Sequence, residues 1–133
     1  MLQRYDAYVS SLEATMAENL RRVHEAGIPI AVSTDAGNPG TLHGISIYDE
    51  MEAMQRAGIP AEEILVMGTK IGARAMDRLP DFGTLEAGKM ADLIVLDKDP
   101  TEDIENMRSI THVMRGGLLR PVNKPLDGSE TPE

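Results

Sequence analysis

The chain has no cysteine, which removes disulfides, thiolate metal sites and cysteine nucleophiles together. That absence suits a reducing compartment. Tryptophan is missing as well, and only Tyr5, Tyr8, Tyr48 and Phe82 are aromatic. Core bulk must therefore come from Ile, Leu, Val and nine Met, which fill space adaptably but specify shape weakly. Positive charge is scarce, since 13 Lys and Arg face 22 Asp and Glu for a formal net charge of −9. This balance argues against nucleic acid or an anionic membrane as partner, because both call for clustered basic residues. No apolar run approaches the roughly 18 residues that cross a bilayer. The opening Met1-Leu2-Gln3-Arg4-Tyr5-Asp6 lacks the apolar core of a signal peptide. The expectation is a soluble, cytoplasmic protein with one ordinary domain's worth of chain in its 133 residues.

What is present reads as α/β. Tyr5, Val9, Leu12, Met16, Leu20 and Val23 recur at three- and four-residue steps, which predicts a long amphipathic helix over 2–26, stopped by Gly27. Residues 28–34 form an apolar run expected to be a strand covered on both faces. A second helix is predicted over 45–57, with Ile47, Met51 and Met54 inward, and Gly58 ends it. A third starts after Pro60, buries Ile64, Leu65, Ile71 and Ala75, and halts at Pro80. The period then becomes extended. Leu93–Leu96 reads as a strand, 101–104 as a short capped turn, and 110–114 with 118–122 as a hairpin around Arg115-Gly116-Gly117. The polar residues 123–133, with two prolines, are expected to be a disordered tail.

Asp35 stands out because it ends the apolar run 28–34 and opens the Gly-rich loop 36–44. A buried strand that delivers a carboxylate into a loop is how α/β barrels place a reactive side chain. The same residue also reads as a turn aspartate accepting loop N–H groups. His43, in that loop, is either a pocket residue or a surface one. His24 and His112 have no partner at ligand spacing and are read as structural. The run Gly83-Thr84-Leu85-Glu86-Ala87-Gly88-Lys89 imitates a phosphate-binding loop, but Met90 replaces the Ser or Thr that would hold magnesium. Lys89 also leads into a strand instead of a helix N-terminus, so the reading is rejected. Asp92 is expected to bond nearby backbone, and the acids of Asp49-Glu50-Met51-Glu52 to form a solvated helix face.

Four blocks carry a resemblance. They are Ala26–Gly37 around Thr34-Asp35, Leu42-His43-Gly44 with Asp49–Glu52, Gly83–Leu96, and Asp99–Ile104 with Val113–Gly117. In this order the chain resembles the imidazolonepropionase-like branch of the metal-dependent amidohydrolases over about residues 16–122. The resemblance implies an α/β fold: the carboxyl-terminal fragment of a (β/α)8 TIM-type barrel over 1–80, followed by strands of a small β-sandwich over 81–122. It implies hydrolysis of an amide or cyclic amide C–N bond by a metal-activated water. Asp35 would be both a metal ligand and the catalytic acid–base group, and His43 a substrate contact.

Missing residues limit that carry-over. Such enzymes place a His-x-His pair on the first strand, a Lys or Glu mid-chain and two later histidines, and no His-x-His occurs here. A divalent metal, zinc foremost, is therefore expected in the complete enzyme and weakly or not at all in this chain alone. The expected partners are a small-molecule amide and a chain supplying the missing strands, or further copies of itself. Two rivals stand beside an incomplete, inactive fragment: a subunit of a split amidohydrolase, and a non-catalytic remnant kept as an association module.

Overall fold

The computed structural model describes residues 2–122, with side chains described from residue 10 onward; the predicted tail 123–133 lies outside them. Helix α1 (Leu2–Glu25) ends as expected at Gly27, whose φ is +70°. Gly27 N–H donates to the His24 carbonyl and Ile28 N–H to the Val23 carbonyl, the paired bonds of a Schellman stop. Helix α2 (Ser46–Arg56) repeats the device at Gly58, where Ile59 N–H reaches the Met54 carbonyl and both side chains are buried. Helix α3 (Ala61–Val66), a π-helical turn (Met67–Ile71) and helix α4 (Gly72–Ala75) form one helical run. A third Schellman stop ends it with Asp77 in the glycine position, at φ +57°.

That last stop yields a prediction. Left-handed backbone costs an L-residue about 1 kcal/mol, and no side-chain bond of Asp77 offsets it among the described residues. Asp77→Gly should therefore raise stability by up to about 1 kcal/mol, less glycine's extra unfolded-state entropy. A lower denaturation midpoint for the variant would count against this account.

The core lies where α2, α3 and the π turn meet a 3-10 helix (Ile104–Arg108). Met51, Met54, Ile59, Ala61, Ile64, Met67 and Ile104 form it, with Leu20, Ile30, Val32, Ile47 and Met107 packed around. Fully burying an isoleucine contributes roughly 1.5–3 kcal/mol, so Ile59, Ile64 and Ile104 are its anchors. Ile104 comes from the segment beyond residue 80, so 1–80 and 81–122 share one core. Polar ties reinforce the joint. Ile104 N–H donates to the Gln55 side chain at 3.0 Å, and Arg108 bonds Glu52 and Asp49, each at 2.6 Å, over the Tyr48 ring. The two carboxylates, Glu52 foremost, raise the Arg108 pKa above its already high ordinary value.

Strands β1 (Leu93–Leu96), β2 (Ile110–Arg115) and β3 (Leu118–Pro121) form an antiparallel meander in the order β1-β2-β3. The hairpin and the β1 strand lie where the sequence puts them. The capped turn is extended: Asp103 accepts from Glu105 N–H and caps a 3-10 helix running to Arg108.

Three expectations need correction. Residues 28–34 are not a ladder strand, because no strand among the described residues pairs with them. Nor are they covered on both faces: Ile30, Val32 and Thr34 are half-buried, while Ile28, Ala31 and Ser33 are exposed. Of the α1 stripe's described side chains, Met16 is 62% exposed, Leu12 and Val23 are also exposed, and Leu20 reaches the core. Ala75 is exposed as well, and Ala73 is buried in its place, under the loop that carries Gly83.

Both faces of the meander carry exposed apolar residues: Ile94, Val113 and Leu118 on one, Val95 and Leu119 on the other. Bare apolar faces and open strand edges invite pairing between chains. Expressed alone, the protein should oligomerise, aggregate or melt without a sharp transition. Light scattering and calorimetry check this, and a monodisperse monomer with a sharp two-state melt would contradict it.

Candidate functional site

Asp35 stands at the end of the extended segment, exposed, with φ +47°. Asp tolerates the left-handed region better than most residues, yet a non-glycine there stores strain, a feature that clusters at functional sites. The Asn38 side-chain amide donates twice to Asp35, to carboxylate Oδ2 at 2.9 Å and to the backbone carbonyl at 3.0 Å. The loop then closes on itself. Thr41 N–H and hydroxyl both donate to the Asn38 carbonyl, and Gly37 N–H donates to the Thr41 carbonyl at 3.1 Å.

His43 lies over this loop. A Cβ placed on Gly37 would sit 3.5 Å from His43 Nε2, whereas one on Gly40 or Gly44 would meet nothing within 4 Å, so of the loop's glycines it is Gly37 that the imidazole covers. Gly37, at φ +112°, meets both needs. No hydrogen bond or ion pair joins Asp35 to His43 among the described residues. The two therefore share a loop without forming a catalytic pair. Below, Ser46 is buried and its hydroxyl accepts Leu42 N–H at 2.8 Å, fixing the loop to the start of α2.

The other singled-out residues are accounted for. His24 Nε2 lies 2.7 Å from Glu63 Oε2, a side-chain tie between α1 and α3 that spacing along the chain did not show. His112 Nδ1 meets the neighbouring Thr111 hydroxyl at 3.1 Å. Lys89 is directed into its own loop, bonded to Thr84 and 3.5 Å from Glu86, and points at no phosphate site. Glu86 has its pKa lowered, first by the Thr84 hydroxyl and then by the Lys89 charge. Asp92 accepts Gly116 N–H at 2.6 Å and so holds the β2–β3 turn: its partner is backbone, as expected, but lies 24 residues along the chain instead of nearby.

Asn38 was not singled out from sequence. Its signal was there, since Asn before Pro in a Gly-rich loop is a turn residue whose amide seeks nearby backbone.

The donor set does not fit a catalytic metal by itself. Such an ion usually takes about three protein ligands. Among the described residues no group of three or more His, Asp or Glu stands where it could hold one, and Oδ2 of Asp35 is already engaged by Asn38. Zinc titrated into the isolated chain by calorimetry should show only weak binding, little changed by Asp35→Asn. A tight one-to-one site that Asp35→Asn abolishes would overturn that expectation.

The chain belongs to the amidohydrolase family, whose model matches residues 7–119. It is 35% identical to an imidazolonepropionase of Shouchella clausii over 109 residues, 79% of this chain and 24% of that one. It is 36% identical to a 5-methylthioadenosine/S-adenosylhomocysteine deaminase of Halalkalibacterium halodurans over 118 residues, 78% of this chain and 26% of that one. Among solved structures it resembles a putative prolidase from Bifidobacterium longum, with TM-score 0.73 and 31% identity, covering 85% of this chain and 28% of that one. The chain thus spans about a quarter of the length of the curated relatives it matches. No helix among the described residues is long and apolar enough to cross a membrane.

Proposed function

We propose that this chain carries one catalytic carboxylate, Asp35, of a hydrolase acting on a carbon–nitrogen bond in a small molecule. The strands and metal donors that complete the unit come from elsewhere, in the same polypeptide or in a second one. One observation carries the reading. Among the described residues, 29–35 make no backbone–backbone hydrogen bond, yet they alternate half-buried and exposed as a strand does, and they end on Asp35. A segment that packs one face on a core and leaves its backbone groups unpaired is a strand awaiting neighbours. The barrel of which 1–80 is the carboxyl-terminal part supplies them, with 81–122 contributing to the sandwich. Relatives named as an imidazolonepropionase and a deaminase support a C–N bond as the target.

In the completed unit the chain's own chemistry is proton transfer. As a water oxygen bonds the substrate carbon, Asp35 takes its proton and then passes it to the leaving nitrogen as the C–N bond breaks. The divalent ion, zinc by family resemblance, takes most of its ligands from the complement. His43, on the same loop, contacts substrate.

The test is complementation. The upstream three-quarters of a relative is expressed with this chain, and hydrolysis of imidazolonepropionate and S-adenosylhomocysteine is measured. Turnover should require both parts. Activity of this chain alone, or of the complement at the level of the mixture, would reject the proposal.

A further inference from the structure

We infer that Asn38 is the positioning residue for Asp35: its side-chain amide holds carboxylate Oδ2, so that Oδ1 is the oxygen left to exchange the proton. The inference rests on the reading of Asp35 given above and adds to it a residue with a separate role. Three observations support it. The Asn38 amide bonds Asp35 at two points, the carboxylate at 2.9 Å and the backbone carbonyl at 3.0 Å, which fixes side chain and main chain together. Asn38 is itself held at its other end, where its carbonyl accepts both the N–H and the hydroxyl of Thr41 at 3.0 and 3.1 Å. Pro39 follows directly and restricts the Asn38 backbone to extended conformations, so the amide has little freedom to swing away. Asp35 is exposed and carries no other side-chain bond among the described residues. Without Asn38 its carboxylate would rotate freely in water.

A freely rotating carboxylate transfers protons poorly, because the reacting oxygen must sit within about 3 Å of its partner at the moment of transfer. The amide donates and never exchanges its own proton in the step. It sets which lone pairs face the substrate. Two further loop features keep that direction. Asp35 is locked at φ +47°, and the His43 ring sits over Gly37.

The experiment uses the complemented hydrolase with Asn38→Ala and Asn38→Asp, beside Asp35→Asn. Asn38→Asp keeps the size and the Thr41 contacts but removes both donors. Both Asn38 variants should lower kcat about 10- to 100-fold, the range seen when a reacting group is slightly misplaced, with KM within about twofold. In the complemented hydrolase, the Asn38 side-chain amide protons should resonate away from free-amide positions in NMR spectra, and Asp35→Ala should return them there. Backbone amide signals of 40–44 should stay in place in Asn38→Asp.

Normal kcat in the Asn38 variants, with Asp35→Asn still crippled, overturns the role of Asn38 and leaves the proposed function standing. Normal kcat in Asp35→Asn removes the proposed role of Asp35, and this inference falls with it. A rise in KM alone makes Asn38 a substrate contact and overturns positioning. Wholesale movement of the 40–44 signals makes its role merely structural, which overturns positioning too.

Discussion

Asp35→Asn in the completed hydrolase should lose roughly two to four orders of magnitude in turnover, the usual span for a positioned acid–base group. The substitution keeps side-chain size and one oxygen, so the Asn38 amide retains an acceptor and the loop its shape. Bound metal should stay largely in place for the same reason. What disappears is the basic oxygen, and with it the route by which a proton travels from water to nitrogen. His43→Ala should behave differently. Its ring rests against Gly37 and makes no bond to Asp35, so its loss should raise KM and leave kcat within a few-fold. Measuring kcat, KM and bound metal for both variants separates the two roles. An Asp35→Asn enzyme with near-normal turnover would leave Asp35 as a turn residue, the alternative its place in the loop always allowed.

Local signals in the sequence translated well into structure. Glycine after an apolar stripe stops α1 and α2 because only glycine enters the left-handed region without strain, and Gly27 and Gly58 do so with φ of +70° and +99°. The hairpin glycines and the β-branched run at 93–96 were equally plain. Periodicity misled where it assumed partners. The stripe Leu12, Met16, Val23 and the apolar run 28–34 have the pattern of buried elements, but burial depends on what is packed against them. In this chain much of that cover is absent. The π turn was invisible to a reading based on a 3.6-residue period, and so was the loop at Gly83 that covers Ala73 while Ala75 stays exposed. At the site, the position of Asp35 in a loop was legible from the strand-to-glycine transition. The Asn38 bond was not, because a side chain three residues away becomes a partner only once the turn has closed.

The glycines around 83–88 were read simply as turn residues, and Gly83 turns out to be more constrained than that. Its φ is +99°, and the loop carrying it lies directly on the π turn and α4. A Cβ at this position would come 2.5 Å from Ala73 Cβ, 3.1 Å from the Thr69 carbonyl oxygen and 3.5 Å from Lys70 Cα. None of these is the end of a flexible side chain, so none can swing aside. Gly83→Ala should therefore incur two costs at once. Left-handed backbone costs about 1–2 kcal/mol, and overpacking against fixed atoms adds about 1–3 kcal/mol. Together they approach the whole stability of a marginal domain, and this one leaves much apolar surface uncovered. The expected result is a protein largely unfolded or insoluble at 37 °C, with loss of helical circular dichroism. A second substitution tests the mechanism. Ala73→Gly removes the nearest atom but leaves the Thr69 carbonyl at 3.1 Å, so the double variant should recover part of the clash cost and none of the backbone cost, and the two sites should couple as direct neighbours do. If Gly83→Ala alone lowers the unfolding free energy by less than about 0.5 kcal/mol, the close approach of this loop to α4 is not what holds residues 81–90 against the helices.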